Sequence, residues 1–323
     1  MSIRSFIHLA ARTQLLPVLA SPEEILVGGQ AVMEGVMMRA PHSYCVAVRR
    51  PAGDVVTDEM PVPKVSEKHK IFKYPIFRGM GSLGQSMWLG MKALRFSANA
   101  ALDDGESKKQ EISPWIMTLN LAFSLAFFIF LYKFVPLYLT SLLGKWAPAV
   151  KGHILFNLTD GAIRIAIFLV FLYLISLWKD IKRVFEYHGA EHKVVFAFES
   201  GKPLTIENAQ RHSTFHPRCG TSFLLVVMVV AIIVYAMVPY EGFFMKFVAR
   251  VVLLPLIAGL SYELIRFAAK HRGGVMAALT APGLWLQRIT TQPPSDEQVA
   301  VAIHALEGAM ALEQSQGGQS VIA

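Results

Sequence analysis

Cysteine is scarce in this chain, with Cys45 and Cys219 the two among 323 residues. Two cysteines exclude the disulfide framework of a small secreted domain and are typical of a reducing cytosol. Charged residues are also scarce: they make up 17% of the chain, against about 25% in soluble globular domains. Because 54% of the residues are hydrophobic, the composition predicts a membrane protein.

Signatures of nucleic-acid binding are absent as well. The formal net charge is +8, but the sequence contains no Lys/Arg-rich run, zinc-finger spacing or RNA-binding motif. Such positive charge is typical of loops that face an anionic membrane, so the expected partner is the lipid bilayer and not nucleic acid. Internal repeats are also absent. At the N-terminus, His8, Arg12 and Gln14 interrupt the apolar run, which favours a short amphipathic helix over a cleaved signal peptide.

Four long hydrophobic segments are present instead. The first follows Ser113 and Pro114, a helix N-cap and a first-turn proline, and continues to Leu143. The other three cover residues 155–178, 221–240 and 247–269. A helix of roughly 20 apolar residues crosses a bilayer. The sequence therefore predicts a mainly α, polytopic membrane protein with about four transmembrane helices.

Polar segments flank and interrupt these spans. We divide the chain into an N-terminal cytoplasmic α+β region at 1–110, a four-span region at 111–270 and a C-terminal cytoplasmic helical tail at 271–323. Positive charge is concentrated between the second and third spans, at Lys179, Lys182, Arg183, Lys193, Lys202, Arg211 and Arg218. This bias predicts an inner-membrane protein with both termini and the 179–219 loop in the cytoplasm.

Local patterns indicate elements in the two terminal regions. Alternating apolar residues on either side of Pro51-Ala52-Gly53 predict a β-hairpin. Residues 77–102 predict a helix that lies in the membrane interface or packs on the bundle. In the tail, Pro282-Gly283 predicts a turn. The residues from Ser295 to Gln298 predict the capped start of a helix.

The stretch YHGAEHK, residues 187–193, contains H-x-x-E-H, the inverse of the zincin motif. On a helix, His188 and His192 share one face, so both imidazoles can bind one ion. Glu191 lies about 60° around the helix from His188, where it can act as a general base toward water. The alternative is a pair of solvated histidines, with Glu191 paired to a nearby lysine or arginine.

A second cluster, RHSTFHPRCGTSF, precedes the third span and contains His212, His216 and Cys219. His216 and Cys219 offer borderline and soft ligands that suit zinc or another late transition metal. Because the two clusters end one loop between spans, we expect them at the same membrane face. The alternative assigns Cys219 and Pro217 to the packed start of a helix.

Carboxylates outside the motif are further candidates. Glu34 lies in GGQAVMEGVMMR, an apolar stretch in which an acid needs a partner, such as Arg39, Arg78 or a metal. The alternative interpretation is that Glu34 is a surface glutamate in a methionine-rich interface. Glu199 falls on the helical face of His188. Near the end of the fourth span, Glu263 either pairs with Arg266 or reaches the loop site.

Four motifs occur in one order: GGQAVMEGVMMR, YHGAEHK, HPRCGTSF and PGLWLQRITTQPPSDEQVAVAIHAL. Together they make the chain similar to the YqhQ-like family of bacterial membrane proteins over residues 27–306. That family is a domain of unknown function that carries the label of a predicted metal-dependent enzyme. The resemblance implies a polytopic inner-membrane protein with a metal site, and it implies no particular reaction.

Two functions follow from these patterns. The first is a metal-dependent hydrolase at the cytoplasmic face of the inner membrane, acting on a lipid head group or a membrane-near peptide. Its divalent metal, with zinc as the leading candidate, would be held by His188, His192, His216 and Cys219. Glu191 and Glu34 would be catalytic, and Arg39, Arg78 and Arg218 would hold phosphate or carboxylate. The second function is a non-enzymatic membrane scaffold or a lipid-binding assembly protein whose polar motifs are structural.

Overall fold

The computed structural model of the protein describes residues 27–63, 69–103, 114–217, 219–239, 241–270 and 274–315. The predicted N-terminal helix, the polar linker at 104–110, Arg218 and residues 316–323 lie outside these ranges. The described chain is mainly helical and contains one four-stranded antiparallel sheet.

The sheet is formed by consecutive strands in the order β1 (Gly28–Val32), β2 (Gly35–Arg39), β3 (Ser43–Arg49) and β4 (Val55–Pro61). The predicted hairpin is confirmed as β3 and β4, which pair from Ser43 with Pro61 to Arg49 with Val55. The β1–β2 hairpin was not predicted from GGQAVMEGVMMR. Its second strand is covered on both faces, and such strands lose the polar/apolar alternation that reveals a half-exposed strand.

The helices follow the sheet in chain order. They are α1 (Phe77–Ala101), α2 (Pro114–Ile129), α3 (Val135–Trp146), α4 (His153–Ser176), α5 (Lys179–Glu199), α6 (Ile206–Gln210), α7 (Gly220–Met237), α8 (Phe243–Val252), α9 (Leu254–Lys270), α10 (Gly274–Thr290) and α11 (Asp296–Ser315). A π-helical turn at Phe130–Phe134 joins α2 to α3.

Both faces of the sheet are covered by helices. Val36, Cys45 and Ala47 belong to a core shared with α5 and α11. The intervening Tyr44 and Val46 belong to a second core shared with α1. The N-terminal region, part of the 179–219 loop and the C-terminal tail therefore fold into one α/β/α unit.

The apolar segments form a separate bundle. Helices at Thr118–Trp146, His153–Ser176 and Gly220–Met237 are long and apolar enough to cross a membrane. A fourth crossing is possible if α8 and α9 act as one span, although they are bent by 50°. The single fourth segment predicted from the sequence is thus broken in two. The break falls just before Pro255, in the first turn of α9. Proline has no backbone N–H to bond a carbonyl of α8, so one continuous helix is disfavoured there.

The tail differs from its prediction at one point and matches it at another. Pro282 and Gly283 do not form a turn, because both lie inside α10. A Cβ at Gly283 would lie 2.4 Å from Ser222 Oγ, so the glycine permits close packing of α10 on α7. The predicted cap is confirmed. Ser295 Oγ accepts a bond from the backbone N–H of Gln298 at 3.3 Å, and Gln298 Oε1 accepts one from the N–H of Ser295 at 2.8 Å.

Helix α5 lies directly against the segment that follows α10. A Cβ built at Gly189 would lie 2.1 Å from the carbonyl oxygen of Gln292, closer than any real contact. Beside it, the backbone N–H of Gln292 donates to the carbonyl of Phe185 at 2.9 Å. The missing side chain at Gly189 therefore sets how closely α5 approaches the end of α10.

Gly189→Ala is expected to destabilise the protein, although alanine favours a helix over glycine by about 1 kcal/mol. Its methyl group would displace a backbone carbonyl, and overpacking of this kind costs about 1–3 kcal/mol. The midpoint of thermal unfolding in detergent should fall. The matched control is Gly84→Ala in α1, where no atom lies within 4 Å of the new Cβ and the midpoint should not fall. An equal rise for both variants would contradict the close approach.

Candidate metal centre

The H-x-x-E-H stretch is helical, as its spacing requires. Helix α4 ends at Ser176, and α5 begins three residues later at Lys179. His188, Glu191 and His192 therefore lie on a helix that leaves one end of the apolar bundle. Helix α7 starts at that same end, directly after Cys219, which is its N-cap.

His188, His192 and Cys219, here called the His/Cys cluster, converge in space. One ligand atom from each lies within 4.8 Å of the others. His188 Nε2 is 3.2 Å from Cys219 Sγ, and the two imidazole centroids are 4.4 Å apart. Tetrahedral zinc with bonds of about 2.0–2.3 Å needs ligand atoms roughly 3.3–3.8 Å apart. The cluster meets that spacing after its ligand atoms close by about 1.5 Å at most.

Two backbone carbonyls fix which nitrogen of each imidazole is available. His188 Nδ1 lies 2.7 Å from the carbonyl oxygen of Thr290, and His192 Nδ1 bonds the carbonyl oxygen of Thr214. A carbonyl only accepts, so each Nδ1 carries the hydrogen and each Nε2 keeps its lone pair. His192 Nε2 is buried and has no hydrogen-bond partner among the described residues. This arrangement matches metal-binding histidines, which usually donate their second N–H to a carbonyl or carboxylate.

Cys219 presents its sulfur toward His188 from the start of α7. The backbone N–H of Thr221 donates to Sγ at 3.4 Å, and the Thr221 hydroxyl lies 3.2 Å from Sγ. The sequence offered Cys219 both as a ligand and as a packed residue at the start of a helix. Its geometry fits both descriptions at once.

His216 lies beside the His/Cys cluster without joining it. Its ring centroid is 5.6 Å from that of His192, but its Nε2 faces Glu199 Oε2 at 3.4 Å. Burial lowers the pKa of His216 to about 4, against the opposing effect of the negative charge on Glu191. His216 is therefore neutral at neutral pH, and Gln287 fixes its backbone through bonds of 2.7 and 2.8 Å.

Glu191 is the carboxylate next to the cluster. Its Oε2 lies 3.9 Å from His188 Nε2, and the residue is 7% exposed. Strand β1 approaches it closely, since a Cβ built at Gly29 would lie 2.9 Å from Glu191 Cγ. Gly29 therefore permits the close approach of β1 to Glu191, and its Cβ would also lie 2.5 Å from the carbonyl oxygen of Met37 in β2.

Glu34 lies away from the cluster, in the two-residue turn between β1 and β2. It adopts a left-handed φ of 55°. Both of its carboxylate oxygens accept bonds from Arg183, and the Tyr187 hydroxyl is 3.4 Å away. Burial, followed by the charge of Glu34, raises the pKa of Tyr187 to about 12. The partner of Glu34 is thus Arg183, which differs from the three candidates drawn from the sequence.

The other two carboxylates also have partners elsewhere. Glu199, at the end of α5, faces His216. Glu263 accepts a bond from Arg78 Nε at 2.7 Å and holds the start of α1 against α9. Arg39 donates to Gln85 at 2.9 Å. The arginines considered for substrate binding at positions 39 and 78 are therefore engaged in structural contacts.

A family model described as "Protein of unknown function (DUF1385)" matches residues 74–312. The chain is also 35% identical to the Uncharacterized protein YqhQ of Bacillus subtilis (strain 168) over 297 residues, which cover 88% of this chain and 92% of that protein. The chain belongs to the DUF1385 family. No solved structure matches it. The YqhQ-like resemblance stated from the four motifs is confirmed, and neither name assigns a reaction.

Some supporting residues of this DUF1385 site were not found from the sequence. Thr214 and Thr290 act through backbone carbonyls, which no side-chain pattern encodes. Lys193 is the last residue of YHGAEHK, and its Nζ donates to the carbonyls of Gln210 and His212 at 2.7 Å each. Its burial lowers its pKa. Lys193 thereby fixes the segment that carries Thr214. Its position within YHGAEHK is the one sequence feature that could have indicated this role.

Glu34→Gln is expected to lower stability only slightly and to leave metal content unchanged. The Arg183 side chain is 52% exposed, and exposed ion pairs contribute about 0–1 kcal/mol. A double-mutant cycle with Arg183→Gln, measured by denaturant unfolding in detergent, should give a coupling energy below about 1 kcal/mol. A loss of bound metal in Glu34→Gln would instead place Glu34 in the ion's coordination shell.

Proposed function

We propose that this protein is a metal-dependent hydrolase at the cytoplasmic face of the inner membrane. One observation carries the proposal: two imidazole lone pairs and a thiol sulfur converge beside a mostly buried carboxylate. Three protein ligands with one open position and an adjacent carboxylate are typical of catalytic zinc sites.

The surface of the bundle supports a membrane location. In each of the three apolar helices, no more than 22% of the most apolar window is buried by the rest of the chain. A helix that is apolar all round and uncovered needs an apolar solvent. The His/Cys cluster lies where α4 gives way to α5 and where α7 begins, which is one end of this bundle. By the charge bias of the sequence, that end faces the cytoplasm.

The donor set favours zinc over magnesium or calcium. Two neutral imidazoles and one sulfur are borderline and soft ligands, whereas the hard ions prefer carboxylate, carbonyl and water oxygens. The described residues offer no partner to the buried lone pair of His192 Nε2, and this supports occupancy, because a buried acceptor without a partner is costly. The carbonyls of Thr290 and Thr214 would hold both rings in the orientation that binding requires.

A zinc ion at this position would supply Lewis acidity and lower the pKa of water toward neutrality. Glu191 would take the proton from the attacking water and return it to the leaving group. The Glu191 side chain is buried where β1 packs on α5, which would keep bulk water out of that proton transfer. Glu34 would not take part, because its carboxylate is held by Arg183 in the β1–β2 turn. A substrate presented at the membrane surface, such as a lipid head group or a membrane-near peptide, would reach the site from the bundle end.

Metal content tests the ligand assignment. Protein purified in mild detergent should carry about one zinc per chain by elemental analysis, as a three-ligand catalytic site requires. The His188→Ala, His192→Ala double variant and Cys219→Ser should each lose most of it. His304→Ala, an exposed histidine on α11, is the matched control and should retain the metal. Wild-type protein without stoichiometric metal would favour the non-enzymatic scaffold, in which these bonds only join the soluble segments to the bundle.

Glu191→Gln separates binding from catalysis. The variant should keep its zinc, because Glu191 is placed as a base and not as a ligand. Hydrolysis of a responsive substrate, found by screening phospholipids and membrane-near peptides in vesicles, should fall by about 10²–10⁴-fold. Glu34→Gln in the same assay should retain activity. Equal loss in both variants would exclude the assigned roles.

A further inference from the structure

A second group of charged side chains lies inside the helical bundle. Lys133 comes from the π-helical turn, Asp160 and Arg164 from α4, Tyr235 from α7 and Arg250 from α8. These five residues are here called the cation cluster. Each is no more than 5% exposed. Charged residues this buried between apolar helices are rare and usually functional.

The cluster is built around one aromatic ring. Lys133 Nζ and the guanidinium carbons of Arg164 and Arg250 lie 5.1–5.6 Å from the centroid of Tyr235. The Tyr235 hydroxyl donates to the carbonyl of Arg250 at 3.0 Å and accepts a bond from Lys133 at 3.3 Å. Four elements thus bring three cationic groups to one point, at distances typical of cation–π contact.

The charges in this cluster do not balance. Arg164 donates to Asp160 Oδ2, and Arg250 Nη2 lies 3.5 Å from the same oxygen. The hydrogen bonds of Arg250 go to neutral acceptors, the carbonyl of Lys246 at 3.1 Å and Asn157 Oδ1 at 3.2 Å. Lys133 adds a third formal positive charge. The next cation, Lys246, packs its Nζ 3.9 Å from the centroid of Phe156, and the acids that act on it are the same Asp160 and the exposed Glu241. Within the described bundle, one carboxylate therefore faces two buried guanidiniums and one buried lysine amine.

Unused hydrogen-bonding atoms show the chemistry that would complete the cluster. Arg164 Nε and Nη1 and Arg250 Nε are buried donors without an acceptor among the described residues. Asp160 Oδ1 is a buried acceptor without a donor. A complementary ligand must offer several anionic oxygens to the guanidiniums and one hydroxyl to the carboxylate. A phosphate group with a free hydroxyl meets both requirements, whereas sulfate and chloride lack the hydroxyl at neutral pH.

The cation cluster is separate from the His/Cys cluster. Asp160 is 16 residues before the end of α4, which corresponds to about 24 Å of helix, and Arg164 is one turn closer. Tyr235 is 15 residues after Gly220, or about 22 Å along α7. The two clusters therefore lie toward opposite ends of the bundle.

We propose that the cation cluster is a binding site for a phosphate group that carries a free hydroxyl, toward the bundle end opposite the His/Cys cluster. The phosphate oxygens would accept hydrogen bonds from Arg164 and Arg250, and Asp160 Oδ1 would accept a hydrogen bond from the ligand hydroxyl. Two sources present this chemistry: inorganic phosphate, and a lipid head group such as phosphatidylglycerol. The site holds its ligand whether or not the other end of the bundle binds metal.

Titration of delipidated, detergent-solubilised wild-type protein with inorganic phosphate is the first test, by calorimetry at constant ionic strength. Phosphate should bind at least tenfold more tightly than sulfate. Arg164→Gln and Arg250→Gln should each weaken phosphate binding by at least tenfold, since a hydrogen bond to a charged group contributes about 1.5–3 kcal/mol. Lys145→Gln, an exposed cation in α3, is the matched control and should bind as wild type does.

Asp160→Asn distinguishes a ligand-binding carboxylate from a structural one. The variant adds one net positive charge and removes the strong acceptor for the hydroxyl. The dissociation constants of this variant for sulfate and phosphate should then agree within about threefold, which is less than the roughly 1.4 kcal/mol that a tenfold difference represents. A variant that keeps the wild-type preference would contradict the assignment of Oδ1. Arg164→Lys retains the charge without the guanidinium fork and covers the case in which Arg164→Gln fails to fold.

A lipid-binding experiment distinguishes the two sources of the phosphate group. Native mass spectrometry of wild-type protein from nanodiscs that contain equal phosphatidylglycerol and phosphatidylcholine should show retained phosphatidylglycerol if the head group is the ligand. Binding of inorganic phosphate with no lipid preference would identify the free anion. Wild-type protein that binds neither probe, or an Arg164→Gln variant that binds both as tightly as wild type, would overturn the proposal. Metal content should be the same in all of these variants, which separates this test from that of the hydrolase.

Discussion

The close approach of α5 to the end of α10 is the constraint on which the candidate metal centre depends. Gly189 has no side chain, so the α5 backbone reaches Gln292, and the two segments share a hydrogen bond between Gln292 and Phe185. This contact brings the carbonyl of Thr290 to His188 Nδ1. The bond fixes the tautomer of His188 and points its Nε2 toward Cys219. A larger residue at position 189 would move the ring and its lone pair together.

The four family motifs meet in one place because the α/β/α unit joins distant parts of the chain. Gly29 of the first motif lies against Glu191 of the second. Gln287 of the fourth motif bonds the backbone of His216 in the third. These contacts join residues at least 71 positions apart, so they depend on the tertiary packing of the chain. The polar motifs therefore stabilise the contact between the α/β/α unit and the apolar bundle, whatever else they bind.

The two charged clusters differ in how their polar atoms are satisfied. In the His/Cys cluster, carbonyls bind the outer nitrogens and leave one face of lone pairs, which suits a cation. In the cation cluster, guanidinium donors exceed the acceptors, which suits an anion. Each arrangement is costly in an apolar bundle unless a partner completes it.

Periodicity and local chemistry were enough to predict the long apolar segments, the β3–β4 hairpin, the Ser295 cap and the helical H-x-x-E-H face. These features depend on residues near one another in the chain, where turn, cap and i,i+4 geometry act. Tertiary structure alone decided that Cys219 and not His216 faces the two imidazoles, and that Glu34 pairs with Arg183. It also decided that Pro282 and Gly283 continue a helix. These outcomes depend on close packing and backbone carbonyls contributed by segments far apart, which residue type and spacing do not encode.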